Sequence, residues 1–150
     1  MKNYVLLALL ILVTSCSSQE KIIKESAIVA SYETWVAGVR GGGSGINFYV
    51  DLTTELSEEI QLKKVIFRGY EVSFEKQDNL HFQAMIKTSG NQQKFEGDDS
   101  QIITSPKNAL TLAENEAILI FLKSGKEIRQ TIKEVKERPM LLYPSAKPKN

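Results

Sequence analysis

Apolar and polar positions alternate along most of this chain with a period of two. Ile46, Phe48, Val50 and Leu52 alternate with Asn47, Tyr49, Asp51 and Thr53. Leu80, Phe82, Ala84 and Ile86 alternate with His81, Gln83, Met85 and Lys87, and Tyr70, Val72 and Phe74 with Glu71, Ser73 and Glu75. Val65 and Phe67 sit between Lys64 and Arg68. This is the signature of a strand with one face in a core and one in water. Trp35, Ala37 and Val39 alternate with Thr34, Val36, Gly38 and Arg40, which predicts a strand with Trp35 on its core side. The run Ala117 to Leu122 is apolar at every position and predicts a central strand covered on both faces. Ile128, Ile132 and Val135 fit either a strand or an i, i+4, i+7 helix, and the preceding Ser124 and Gly125 decide for a hairpin strand. Leu56 to Lys64 has room for a helical turn.

Turn residues punctuate these runs. Gln77, Asp78 and Asn79 separate two of them at hairpin spacing, Ser89, Gly90 and Asn91 close the next, and Ser124, Gly125 and Lys126 divide the last pair. Strand-like runs at roughly ten-residue spacing, with no internal repeat and no break in composition, predict one all-β domain over residues 28–144. The expected fold class is an Ig-like antiparallel β-sandwich, without the cysteine pair of antibody domains and preceded by a signal-peptide helix.

The N-terminus breaks the alternation. Met1 and Lys2 precede an unbroken apolar run, Val5 to Val13. A bilayer span needs about 20 apolar residues, so the run fits the h-region of a signal peptide over residues 1–15. It ends in Val13, Thr14, Ser15 and Cys16, and these four residues resemble a lipobox, although the usual lipobox has Leu first and Ala or Gly before the cysteine. The resemblance implies cleavage before Cys16 and acylation of its thiol by palmitate-type chains. Cys16 is the single cysteine of 150 residues, so no internal disulfide supports the fold. Two or three chains hold a protein on a bilayer where one does not. Residues 16–27 then form a polar tether. Ser17, which follows the cysteine, implies the outer membrane under the enterobacterial sorting rule, with the periplasmic and surface faces both open. Residues 145–150 are expected to form a loose tail.

Lys+Arg 19 against Asp+Glu 18 leaves a net charge of +1. Loss of residues 1–15 removes Lys2 alone among the charges, leaving a balance of zero. Neither value provides the basic surplus that a nucleic-acid footprint needs. The expected partners are the bilayer, through acylated Cys16, and an envelope protein or ligand of unspecified kind. No cofactor and no metal is expected.

The most unusual segment of the mature chain is Arg40, Gly41, Gly42, Gly43, Ser44 and Gly45. Exposed amides beside Arg40 would suit an anion or carboxylate. No Lys-Ser/Thr follows, which excludes a Walker loop, and a strand rather than a helix comes next, which excludes a dinucleotide fingerprint. The other reading is a hairpin connection whose glycines supply positive φ. His81, the single histidine, falls on a polar strand face with no orienting partner or nucleophile beside it, so it reads as a solvated side chain. Glu96, Gly97, Asp98 and Asp99 lack EF-hand spacing and read as an acidic turn. Lys133 to Arg138 alternates in sign and reads as a solvated face.

Thr34 to Tyr49, followed by Val65 to Gly69, resembles small lipoproteins of the Bacteroidota type whose function is unassigned. That resemblance implies no catalytic residue. The function expected is a non-enzymatic binding or scaffolding module on the cell envelope. An envelope hydrolase or hydrolase inhibitor, and a structural subunit of an envelope assembly, are the alternatives.

Overall fold

The computed structural model describes residues 21–92 and 112–142. Cys16, the segment read as a signal peptide, the acidic turn at Glu96 and the tail from residue 145 lie outside them. A single 3-10 turn, Glu25–Ala27, leads into β1 (Ile28–Val36), β2 (Gly42–Leu52), β3 (Ile60–Phe67), β4 (Tyr70–Ser73) and β5 (Glu75–Lys76). There follow β6 (His81–Gln92), β7 (Ala117–Lys123), β8 (Lys126–Ile132), β9 (Lys136–Glu137) and β10 (Leu141–Leu142). One sheet has the order β10-β1-β2-β6-β5, with β9 also on β1; the other has the order β4-β3-β7-β8. All pairs are antiparallel except that β9 and β10 run parallel to β1. The two sheets face each other, and the molecule is a two-layer β structure.

The alternation writes the core. Phe48, Val50, Ala84, Ile86, Val65, Phe67, Leu119 and Phe121 are the innermost side chains, contributed by β2 and β6 from one sheet and β3 and β7 from the other. An aromatic row runs through this layer. Tyr32 and Phe67 have ring centroids 5.1 Å apart, Phe67 and Phe48 5.0 Å, Phe48 and Phe74 6.2 Å, and Phe74 and Phe82 6.3 Å. Tilted and edge-on pairs of this kind add about 1 kcal/mol each beyond the area they bury.

β7 is central, between β3 and β8. Ala117, Leu119 and Phe121 enter the core, while Ile118 and Ile120 join Ile66 in a second buried cluster on the opposite face of the same sheet, with Leu112 against it. That is why the run is apolar at every position. The ambiguous run after it is the strand β8, in register Phe121↔Ile128 with β7. Both hairpins of this sheet turn on two residues of positive φ, Arg68 (49°) with Gly69 (80°) and Ser124 (48°) with Gly125 (83°). Their backbone twist matches that of the flanking strands.

Two expectations are corrected. The stretch from Leu56 holds no helix: Ile60 N–H donates to Ser57 O across 2.9 Å and β3 begins there. Trp35 is not on the core side. The core-facing set of β1 is Ile28, Ala30 and Tyr32, so Val29, Ser31, Glu33 and Trp35 share the outer face. The apolar Val29 and Trp35 stand on that outer face, which hides this alternation in the sequence.

Candidate functional site

The outer face of the first sheet is where the unusual chemistry lies. Strand register arranges it in rows across β1, β2 and β6. Val29, Asp51 and His81 form one row; Ser31, Tyr49 and Gln83 the next; then Glu33, Asn47 and Met85; and last Trp35, Gly45 and Lys87. A solvated sheet face would leave these side chains wet, yet Ser31, Glu33 and Asn47 are at most 8% exposed.

Glu33 is the centre of the face. Its Oε1 accepts from Asn47 Nδ2 at 3.2 Å and from the Tyr49 hydroxyl. Arg138, just beyond β9, reaches across β1: its guanidinium lies 4.5 Å from the Tyr49 ring centroid, and its Nη2 is 3.3 Å from Asp51 Oδ2. The Arg138 backbone N–H donates to Tyr32 O at 2.7 Å, which holds the C-terminal segment on the β1 edge. Ser31 Oγ and Asn47 Oδ1 are buried and make no hydrogen bond among the described residues. A buried carboxylate costs several kcal/mol in lost hydration unless donors surround it, and Asn47 and Tyr49 are those donors here.

The same contact perturbs the phenol. Burial first, and the hydrogen bond to the Glu33 carboxylate second, push Tyr49 from the ordinary 10.0 up to about 12. The neutral phenol is therefore favoured by folding. Its contribution to stability is complete below the unfolded value near 10 and is lost as pH rises through about 12. Burial also raises Tyr32, so two tyrosines titrate late. In an ultraviolet tyrosinate titration, Tyr49→Phe is expected to remove one late step; an unchanged titration would show that Tyr49 is not so placed.

The glycine segment lies at the far end of this face. Sequence reading placed residues 40–45 in one loop, whereas β2 already begins at Gly42 and pairs Ser44 with Val36 and Gly45 with Trp35. Gly45 is buried beneath the Trp35 indole. Gly41 and Gly43 have φ of 82° and 87°. The hairpin is clamped by Asn91, whose Oδ1 accepts from Gly41 N–H at 3.2 Å. Its Nδ2 faces the carbonyls of Ala37 at 2.9 Å, Val39 at 3.1 Å and Gly43 at 3.3 Å. Ser44 Oγ meets Thr88 Oγ1 at 2.7 Å and donates to Gly90 O at 2.9 Å. The Gly42 amide donates to Val39 O at 3.1 Å. The amides of Gly41 and Gly42 are thus taken up within the hairpin, and its tip presents Arg40 and Val39 to solvent.

His81 is exposed, as expected of a solvated side chain, but it has a partner. Asp78 accepts from the backbone N–H groups of Leu80 and His81 and meets His81 Nδ1 at 2.7 Å, which closes the β5–β6 hairpin. The Leu80 amide first, then the His81 side chain, hold the Asp78 carboxyl below its usual range. Lys136 and Arg138, read as part of a solvated stretch, border the outer face as well.

Sequence reading missed Glu33, Asn47, Tyr49, Asn91 and Arg138. The signal for Asn47 and Tyr49 was their alternation with Ile46, Phe48 and Val50 on the polar side of β2; Glu33 lies on β1, and only the pairing Glu33↔Asn47 brings it to them. Asn91 was read only as part of a turn. Comparisons of the chain with protein-family models, curated proteins and solved structures give no match.

Proposed function

We propose that this protein is a lipid-anchored, non-enzymatic binding module of the bacterial cell envelope, built on an Ig-like sandwich. The observation that carries the reading is the order of features at the N-terminus: Lys2, the apolar run Val5 to Val13, and Val13, Thr14, Ser15 and Cys16 at its end. Acyl chains on Cys16 would place the domain at a membrane surface, and Ser17 after the cysteine argues for the outer membrane. The described strands begin at Ile28, close behind Cys16 in the chain.

The Ig-like assignment is supported by strand order. In chain order β1, β2, β6 and β5 stand where strands A, B, E and D stand in that fold, and β4, β3, β7 and β8 where C′, C, F and G stand. A binding role is supported by the kind of chemistry on the outer face. The Glu33 carboxylate is held by an amide and a phenol, and among the described residues no nucleophile and base are paired beside it.

The test is intact mass and membrane fractionation of the protein expressed in a bacterial host with its own N-terminus. The expected product begins at Cys16, carries added acyl mass and sediments with membranes. Cys16→Ser is expected to remove the acyl mass and leave the precursor uncleaved at that site. A wild-type protein of unprocessed mass in the soluble fraction would overturn the anchor.

A further inference from the structure

A cleft opens on the side of the sandwich, away from the outer face. Its cause is a mismatch in strand length. β4 pairs only with Lys64–Phe67 of β3. The chain then leaves that sheet at Phe74, whose N–H donates to Lys63 O at 2.8 Å, and crosses to β5 on the other sheet. The first residues of β3, Ile60 to Leu62, have β7 on one side and no strand on the other among the described residues. The seam between the sheets is therefore left open there, and the core reaches the surface in a cleft of about 590 Å³. That volume lies within the range of small-molecule sites, about 300–1,000 Å³.

The floor is apolar. Leu62 and Phe82 belong to the core, and Leu56, Ile60 and Phe74 are partly buried against it. Phe74 and Phe82 end the aromatic row that crosses the sandwich. The rim is charged, with two bases and two acids on different segments. Lys63 and Lys76 come from β3 and β5; the register of Lys76 with Phe82 sets it on the core-facing side at the sheet edge. Neither lysine makes an ion pair among the described residues. Glu55 and Glu58 come from the β2–β3 connection, with Asn79 Nδ2 donating to Glu55 at 3.2 Å.

We propose that this cleft binds a small zwitterionic amphiphile. Its apolar body would lie on the part-exposed Leu56, Ile60 and Phe74, above the buried Leu62 and Phe82, its anionic group toward Lys63 and Lys76, and its cationic group toward Glu55 and Glu58. Covering the exposed parts of Leu56, Ile60 and Phe74 removes apolar surface from water and gives the driving force. The separated charges give the selectivity: a head of one sign alone meets like charge on one part of the rim. This deepens the reading of the protein as a binding module by naming a ligand class.

The experiment uses the full-length chain carrying Cys16→Ser, so that no acyl chain of its own competes. Three probes with the same octyl tail are titrated below their micelle concentrations and followed by amide chemical shifts: octylphosphocholine, octanoate and octyltrimethylammonium. The expected order places octylphosphocholine first, with shifts centred on residues 55–63 and 74–82. Lys63→Glu with Lys76→Glu is expected to weaken octylphosphocholine about tenfold and to move the preference to the cationic probe. Glu58→Lys is expected to move it to octanoate. All three sites are solvent-exposed, and a dispersed amide spectrum verifies folding of each variant. Equal affinity for the three heads, shifts elsewhere on the domain, or no saturable binding would overturn the proposal. The anchor is read separately by mass and fractionation, so either reading can fail alone.

Discussion

Gly45→Ala is expected to destabilise the domain by about 3 kcal/mol, the upper end of what overpacking a well-filled site costs. Gly45 stands in β2 between β1 and β6, where strand spacing leaves no slack. A Cβ there would overlap the Ile86 carbonyl oxygen and lie 2.6 Å from Trp35 Nε1 and 2.7 Å from Trp35 Cε2. The backbone neighbour cannot rotate away, and the indole can leave only by abandoning the surface it covers. Gly125→Ala is the comparison. Its φ of 83° strains an L side chain, but nothing lies within 4 Å of the added methyl, so the expected cost is about 1 kcal/mol. Urea unfolding of the two variants measures the difference. Equal midpoints, or a Gly125 variant that is the weaker of the two, would show that Trp35 does not seal the hairpin in this way.

Glu33→Leu is expected to cost a similar amount, about 3 kcal/mol. Removing the carboxylate leaves the Tyr49 hydroxyl and Asn47 Nδ2 without their acceptor at a site that is 8% exposed at Glu33 and 4% at Asn47. Each buried donor left unpaired costs about 1–3 kcal/mol. Glu33→Gln keeps an acceptor oxygen and should cost about 1 kcal/mol. The triple variant Glu33→Leu, Asn47→Leu, Tyr49→Phe removes donors and acceptor together, and should recover much of the single variant's loss, because apolar replacement of a whole buried polar group is often neutral. Additive losses across the three positions would refute the network and leave three independent side chains.

A buried polar network on the outward face of a sheet is uncommon, because that face is normally wet and its side chains hydrogen-bond to water. Here the parallel edge strands β9 and β10 and the reach of Arg138 help close it. The hairpin tip, with Arg40 and Val39, stays exposed.

The legible part of the fold was its local part. The period of two marked β2, β4 and β6, and Ser124 with Gly125 marked a hairpin, because strand alternation and positive-φ turns are properties of short segments. The doubly apolar run at Ala117 announced a strand covered on both faces for the same reason. Trp35 was misplaced because an indole beside Ala37 and Val39 looks like core, and only the pairing of Trp35 with Gly45 shows which face it occupies. The glycine segment was legible as unusual but not as a strand. Its glycines answer to neighbours outside the segment, Gly42 to Ala37 and Gly45 to Trp35 and Ile86.

By itself the sequence determined that the chain is rich in strands, that hairpins turn at Gln77 to Asn79 and at Ser124 to Lys126, and that Cys16 ends an apolar N-terminal run, while the turn it read at Ser89 to Asn91 lies within β6. These follow from nearest neighbours along the chain, through periodicity, turn stereochemistry and composition. The tertiary structure alone decided the order of the strands in two sheets, the burial of Glu33 on an outward face, the clamping of the hairpin by Asn91 and the open seam at Phe74. Each of these depends on which strands lie side by side and how far each extends. Those pairings are set by the whole core at once, over sequence separations that no local pattern encodes.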